Sequence, residues 1–279
     1  MDLINFILNV AGLLLWLNWR AIGLSAAAPP PGTSLLRTLK RAEPHGSKHW
    51  LSLAALAALL AFRALAYWQI GPSVGWMPSL SLKAISLTLR SDSFERMLLF
   101  SLFSFGLTLA IFYGWLLLIS IANRRVTDAD MFQKLARLQL GWIERWPLVL
   151  KLLLPFCLAT LLWHAATPLL NHLGFPRPVS SREIWQKGMV LGLAAYFLWK
   201  YPIVGALLLY FLNSHVYLGA NPFWNFVDVT ARNLLAPIRW LPLRIGKVDF
   251  APVVGIALVF LADEYGSLGL TRLFQHLPL

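Results

Sequence analysis

Arg63, Lys200 and Asp263, with Glu264 beside it, stand inside runs of apolar residues that carry no other lysine, arginine or acidic side chain. An ionised group in hydrocarbon costs about 2.5 to 3.5 kcal/mol at mid-bilayer on insertion scales, so each is a candidate for charge pairing, ion passage or proton relay. At 1.5 Å per residue, Arg63 and Asp263, each 13 residues beyond helix starts near 50 and 250, lie ~19 Å deep. Lys200, entering from the opposite side near 188, reaches ~18 Å, which leaves it ~12 Å from the other face. Two readings stand. In one, Asp263, together with Glu264, pairs with Arg63 or Lys200 in the bundle interior, because an unpaired charge there is worse than a paired one. In the other, Asp263 and Glu264 end a short helix at the outer interface and Lys200 snorkels to a headgroup. Lys151, three residues inside another apolar run, reads as a snorkelling anchor.

Other reactive types form no pattern. The six histidines (His45, His49, His164, His172, His215 and His276) lack the i+3 or i+4 partners of a metal site. His164 reads as an interfacial polar residue rather than a haem ligand. The single cysteine, Cys157, has no disulfide mate. No nucleophile elbow, P-loop or HExxH is present, so no metal, no cofactor and no enzymatic activity are expected. Gly188 with Gly192, and Gly266 with Gly269, are spaced for helix packing. Asn5, Asn9 and Gly12 share a face of the first helix, with Asn18 further along, and suit hydrogen bonds between helices.

The elements that must position these residues are membrane spans. The chain is 58% hydrophobic and only 13% charged, with a mean hydropathy of +0.64, whereas ordinary globular domains carry about 25% charged residues. Six stretches are long enough to cross ~30 Å of hydrocarbon: 3–19, 50–68, 97–122, 148–170, 188–218 and about 250–270. The fifth is long enough to be tilted, broken near Pro202 or preceded by a short interfacial piece. The amino-terminal run begins with an acid at position 2 and shows no cleavage signature, so it is expected to be a retained helix.

The spans fall into three pairs, divided by loops 20–49, 123–146 and 219–249, which hold five, five and four Lys or Arg. The linkers 69–96 and 171–187 hold three each, and the tail one. The basic loops should be cytoplasmic and both termini extracytoplasmic. That placement also accounts for the net charge of +12 by lipid and topology, without nucleic acid. Each basic loop carries one amphipathic helix. In the first, Leu35, Leu36 and Leu39 oppose Arg37, Lys40 and Arg41. In the second, Met131, Leu135, Leu138 and Trp142 oppose Gln133, Arg137 and Glu144. In the third, Phe223, Phe226, Val227, Thr230 and Leu234 oppose Asn225, Asp228 and Arg232, with Asn221 as cap and Pro222 at the first helical position. Such helices lie in the headgroup plane and favour anionic lipid, and a Trp after His or Arg (Trp50, Trp146, Trp240) follows each. Within 79–92 the alternation of Leu80 and Leu82, then Ile85, Leu87 and Leu89, has strand period.

The fold class expected is therefore all-α: a polytopic helical membrane protein of about six transmembrane helices in three pairs, each pair joined by a short amphipathic interfacial helix. The modules are 1–70, 97–170 and 188–279, separated by an extracytoplasmic linker 71–96 and a linker 171–187.

In the third module, Asn221, Pro222, Phe223, Thr230, Pro237, Arg239, Pro242, Gly246, Asp249 and Pro252 follow in an order and spacing that resembles the signature of the YggT (also called YlmG) family of small integral membrane proteins. The likeness covers about 205–270. It departs from the pattern at "LYFLNSH", where relatives often carry an Arg and a Ser-Trp, and at Ala251, where Ser is common. The first two helix pairs share the plan and read as diverged copies. The resemblance implies a bacterial inner membrane and a role linked to cytochrome assembly, cell-division gene neighbourhoods or ion tolerance. The expected function is a non-enzymatic scaffold or assembly factor whose amphipathic helices bind anionic lipid, a membrane-protein partner or a second copy of the chain. The alternative is a small transporter or ion pathway using Arg63, Lys200 and Asp263.

Overall fold

A computed structural model describes residues 2–27, 46–82, 85–89, 91–124, 126, 131–172, 180–216, 221–241, 243–245 and 248–276. It shows a polytopic helical membrane protein. Six helical stretches are long and apolar enough to span: Leu3–Ala21, Trp50–Ser73, Phe94–Ala122, Leu148–Asn171, Ser181–His215 and Ala251–Gln275. Hydrocarbon offers backbone groups no partner, so an apolar chain in it must close its hydrogen bonds within each segment, and the helix does so. The helices are α1 (Asp2–Ala27), α2 (Gly46–Val74), α3 (Phe94–Ala122), α4 (Met131–Leu140), α5 (Leu148–His172), α6 (Ser181–Ala194), α7 (Lys200–His215), α8 (Pro222–Leu234) and α9 (Ala251–His276). Two short two-stranded sheets interrupt them: β1 (Ser79–Leu82) with β2 (Ile85–Thr88), where the strand-period alternation lies, and β3 (Arg244–Ile245) with β4 (Val248–Asp249).

The helix contacts group differently from the three sequence modules. One compact unit holds residues 1–80 and 87–110, the other 81–86 and 111–279, so α3 gives its first half to one and its second half to the other. In the first unit α1 packs on α2, and Leu56, Leu60 and Phe105 form a core lined by Leu15, Trp16, Leu53 and Leu109. Asn5 and Asn9 both donate to Ser104 Oγ, at 3.3 and 2.9 Å, and Asn18 donates to Ser52 at 3.1 Å. A Cβ on Gly12 would lie 2.9 Å from Phe105.

In the second unit the fifth span is broken. A 3-10 stretch, Ala195–Trp199, separates α6 from α7, just ahead of Pro202. The ring of Pro202 removes the N–H that would reach the carbonyl of Leu198, and the indole Nε1 of Trp115 donates to that carbonyl at 3.1 Å instead. Here α5 packs along α6 across the boundary between two sequence modules. Gly188 and Gly192 permit the close approach. Thr160 donates to the Gly188 carbonyl at 3.1 Å, and a Cβ on Gly192 would fall 2.7 Å from Phe156 Cδ2 and 2.9 Å from the Phe156 carbonyl oxygen. Gly266 similarly abuts Phe197, whereas Gly269 faces open space.

The amphipathic helices use their faces in opposite ways. On α4 the apolar Leu135 (50% exposed) and Leu138 (52%), with Trp142 (75%) in the 3-10 turn that follows, point away from the protein. Gln133, read from the sequence as part of the outer polar face, is buried with Ala136, Gln139 and Leu140. On α8 the apolar side is turned inward, Val227 and Thr230 being buried while Asn225 and Arg232 are exposed. The helix expected around Leu35 to Arg41 lies outside the described residues.

The contrast between two glycines tests the packing. Gly192→Ala should destabilise the protein by about 1–3 kcal/mol through overpacking. Gly106→Ala, whose added Cβ meets nothing within 4 Å, should stabilise it by about 0.4–1 kcal/mol through the unfolded state. Unfolding in mixed micelles reads both.

Candidate functional site

Arg63 is 1% exposed, near the middle of α2. Its Nη1 donates to Asn9 Oδ1 at 2.6 Å, its Nε to Ser101 Oγ at 3.0 Å, and its Nη2 to the Ser101 carbonyl. Ser101 Oγ in turn donates to the Leu60 carbonyl at 2.9 Å, and the Phe100 ring lies 6.0 Å from the guanidinium carbon. The planar fork thus joins α1, α2 and α3 through neutral acceptors of its own unit. Hydrogen bonds to charged groups contribute about 1.5–3 kcal/mol each. Three of them outweigh an insertion penalty of about 2.5–3.5 kcal/mol, so a carboxylate partner is not required to hold Arg63 inside.

Lys200 and Asp263 meet in the second unit. The Nζ to Oδ2 distance is 2.7 Å, both side chains are largely buried, and the ammonium sits 4.5 Å from the Phe260 ring centre. Lys200 opens α7 immediately after the 3-10 break, so a charge pair and a helix discontinuity coincide. Glu264, one residue on, is exposed. The structure therefore contains the Lys200 pairing, and Asp263 stands inside α9 rather than ending it.

A third polar group was not legible as such in the sequence. Lys151 is 5% exposed and is no snorkelling anchor. Its Nζ donates to Ser120 Oγ at 2.8 Å and to Glu144 Oε2 at 3.1 Å, while Ser120 donates to the same carboxylate oxygen. Arg137 approaches Glu144 at 3.8 Å. A Ser-Lys contact invites a nucleophile-base reading. With a carboxylate at 3.1 Å, however, this lysine is the cation of an ion pair that ties α5 to the 3-10 turn Gly141–Arg145 and to α3. The spacing of Glu144 and Lys151 gives no signal for it, because the extended Trp146 breaks the helical register between them.

The positions singled out in the third sequence module cap and turn the chain. Asn221 caps α8, accepting from the Phe223 N–H at 3.5 Å, with Pro222 in the first turn. Phe223 is half-buried on the inner side of α8. Thr230 accepts from Asn123 Nδ2 at 2.8 Å, and Asn233 donates to Asn123 Oδ1 at 2.9 Å, so two amides and a hydroxyl lock α8 to the end of α3. Pro237 sits in the 3-10 turn Ala236–Ile238, which exposed Arg239 caps. Asp249 pairs with Arg244 in the β3–β4 ladder, and its Oδ1 accepts from the Ala251 N–H at 2.9 Å where α9 starts. Pro252 is buried in the first turn of α9. Pro242 and Gly246 lie outside the described residues. Of the histidines, His164 stacks on Trp185 at 4.9 Å, and His215 lies 2.9 Å from the Phe211 carbonyl.

No family model matches the chain, and no curated protein or solved structure matches it.

The Lys200–Asp263 pair sets up a double-mutant cycle. Lys200→Met, which removes the ammonium from beside the carboxylate, should cost about 3–5 kcal/mol, and adding Asp263→Leu should recover most of that loss. Unfolding in mixed micelles measures it. A double variant as unstable as the single one would mean the two side chains are not coupled.

Proposed function

We propose that the chain is a non-enzymatic membrane scaffold or assembly factor. Through α4 it engages anionic lipid and, alongside it, a membrane-protein partner or a second copy of itself. The observation that carries this reading is the outward apolar facet of Leu135, Leu138 and Trp142, bordered by exposed Lys134 and Arg145. Leucine and tryptophan flanked by cations is what a helix lying at headgroup depth presents. The excess of Lys and Arg in the basic loops supports a cytoplasmic position for that helix, with both termini outside. The likeness of 205–270 to the YggT family favours a bacterial inner membrane. The residues of that likeness act here as caps, turns and a helix lock, which suits a structural role better than a chemical one. Spin labels at 138 and 142 in nanodiscs should report headgroup depth. Lys134→Gln and Arg145→Gln should each weaken enrichment of phosphatidylglycerol around the protein by about 1 kcal/mol, roughly fivefold. Labels that read as water-exposed, or enrichment that does not change, count against the proposal.

A second reading has its own support. A broken span with a charge pair at the break is the construction by which transporters expose backbone and charge to an ion near the midplane. If Asp263 takes part in such a path, ion flux into proteoliposomes should collapse in Asp263→Asn, and flux indifferent to that change removes the idea.

A further inference from the structure

The end of α3, the start of α7 and the inner side of α8 enclose a partly open groove of about 160 Å³. Its size follows from local chemistry. The groove opens where α7 resumes after the 3-10 stretch, at Pro202, and the small side chains of Ala122 and Ala206 leave room that Phe223 and Phe226 border. Thr230 is the one polar side chain that lines it, and its hydroxyl is already engaged by Asn123. A bound water needs two to four polar partners, and apolar cavities of this size stay dry and take apolar guests. In a chain that spans a membrane, the apolar guest at hand is a lipid tail.

Charge just beyond the lining segments along the chain adds a preference for the headgroup. The turn after α3 carries exposed Arg124, two residues beyond Ala122, and the turn after α8 carries exposed Arg239. Arg232, by contrast, is engaged with Asp228 at 3.5 Å on the outer side of α8. Two exposed cations just beyond the segments that line an apolar slot match an anionic headgroup above an acyl chain.

We propose that this groove binds one acyl chain of an anionic phospholipid, with the headgroup toward Arg124 and Arg239. The site does not rest on the outward facet of α4, which lies on another helix and would be labelled separately.

The test uses the full chain in nanodiscs with phosphatidylglycerol carrying a photoactivatable diazirine in its acyl chain, followed by peptide mapping. Adducts are expected to concentrate on 118–122, 202–209 and 223–234, several-fold above the exposed α5 surface around Leu161 and Leu162. The same probe on phosphatidylcholine should label the groove several-fold less. Ala206→Phe, which fills the slot, should abolish groove labelling, while Leu208→Phe, on the exposed side of the same helix, should leave it intact. Adducts spread evenly over the apolar surface overturn the proposal. So do equal labelling by the two lipids and cross-links from the groove to a second copy of the chain. The unsubstituted protein decides the first two outcomes, so a misfolded variant does not leave the question open.

Discussion

Hydrocarbon cannot hydrogen-bond, and that single constraint organises this molecule. A donor or charge buried there gains most from a partner within the protein. The structure answers at several points with the same device: a long polar side chain from one helix reaching a carbonyl, hydroxyl or carboxylate on another. Arg63 reaches Asn9 and Ser101, Lys151 reaches Ser120 and Glu144, Lys200 reaches Asp263, and Trp115 reaches the Leu198 carbonyl beside Pro202. Helix association in lipid lacks the hydrophobic drive available in water, so these bonds and small-residue contacts such as Thr160 against Gly188 and Gly192 hold helices together.

The charges differ in kind. Among the described residues Arg63 meets neutral acceptors, and it is held by geometry, its fork matched to three of them. Lys200 and Lys151 are held by carboxylates, where removal of one partner takes a counter-charge from the other. The first arrangement fixes a rigid joint. The second can be biased by whatever changes the charge of the carboxylate, and at Lys200 it stands at a helix break. This is why the ion-path reading attaches to Lys200 and Asp263, and why Arg63 belongs to architecture.

What was legible in the sequence follows from the same physics. Six apolar runs announce spans because length and composition alone decide them. The cap at Asn221 and Pro222, the asparagine face of α1 and the paired glycines of α6 are local signals with local consequences. The direction of an amphipathic helix is not local. Lipid and protein interior are both apolar, so a greasy face suits either, and α4 turns Leu135 and Leu138 out while α8 turns Phe223 and Phe226 in. Nothing in the spacing of Leu135 and Leu138, or of Phe223 and Phe226, distinguishes the two. Lys151 was misread for a related reason. A lysine near a span end has two escapes, snorkelling or pairing, and the choice depended on Glu144, which a 3-10 turn brings back beneath it.

The central claim is that six helical stretches cross the bilayer and that the fifth is interrupted inside it. Hydrogen–deuterium exchange of the full chain in lipid nanodiscs tests this directly. The account predicts strong protection across 50–73, 94–122, 148–171 and 251–275, with a local rise in exchange at 195–202 inside an otherwise protected 181–215. Exchange of 148–171 or 251–275 at the rate of the connecting loops, or uniform protection through 195–202, would contradict it.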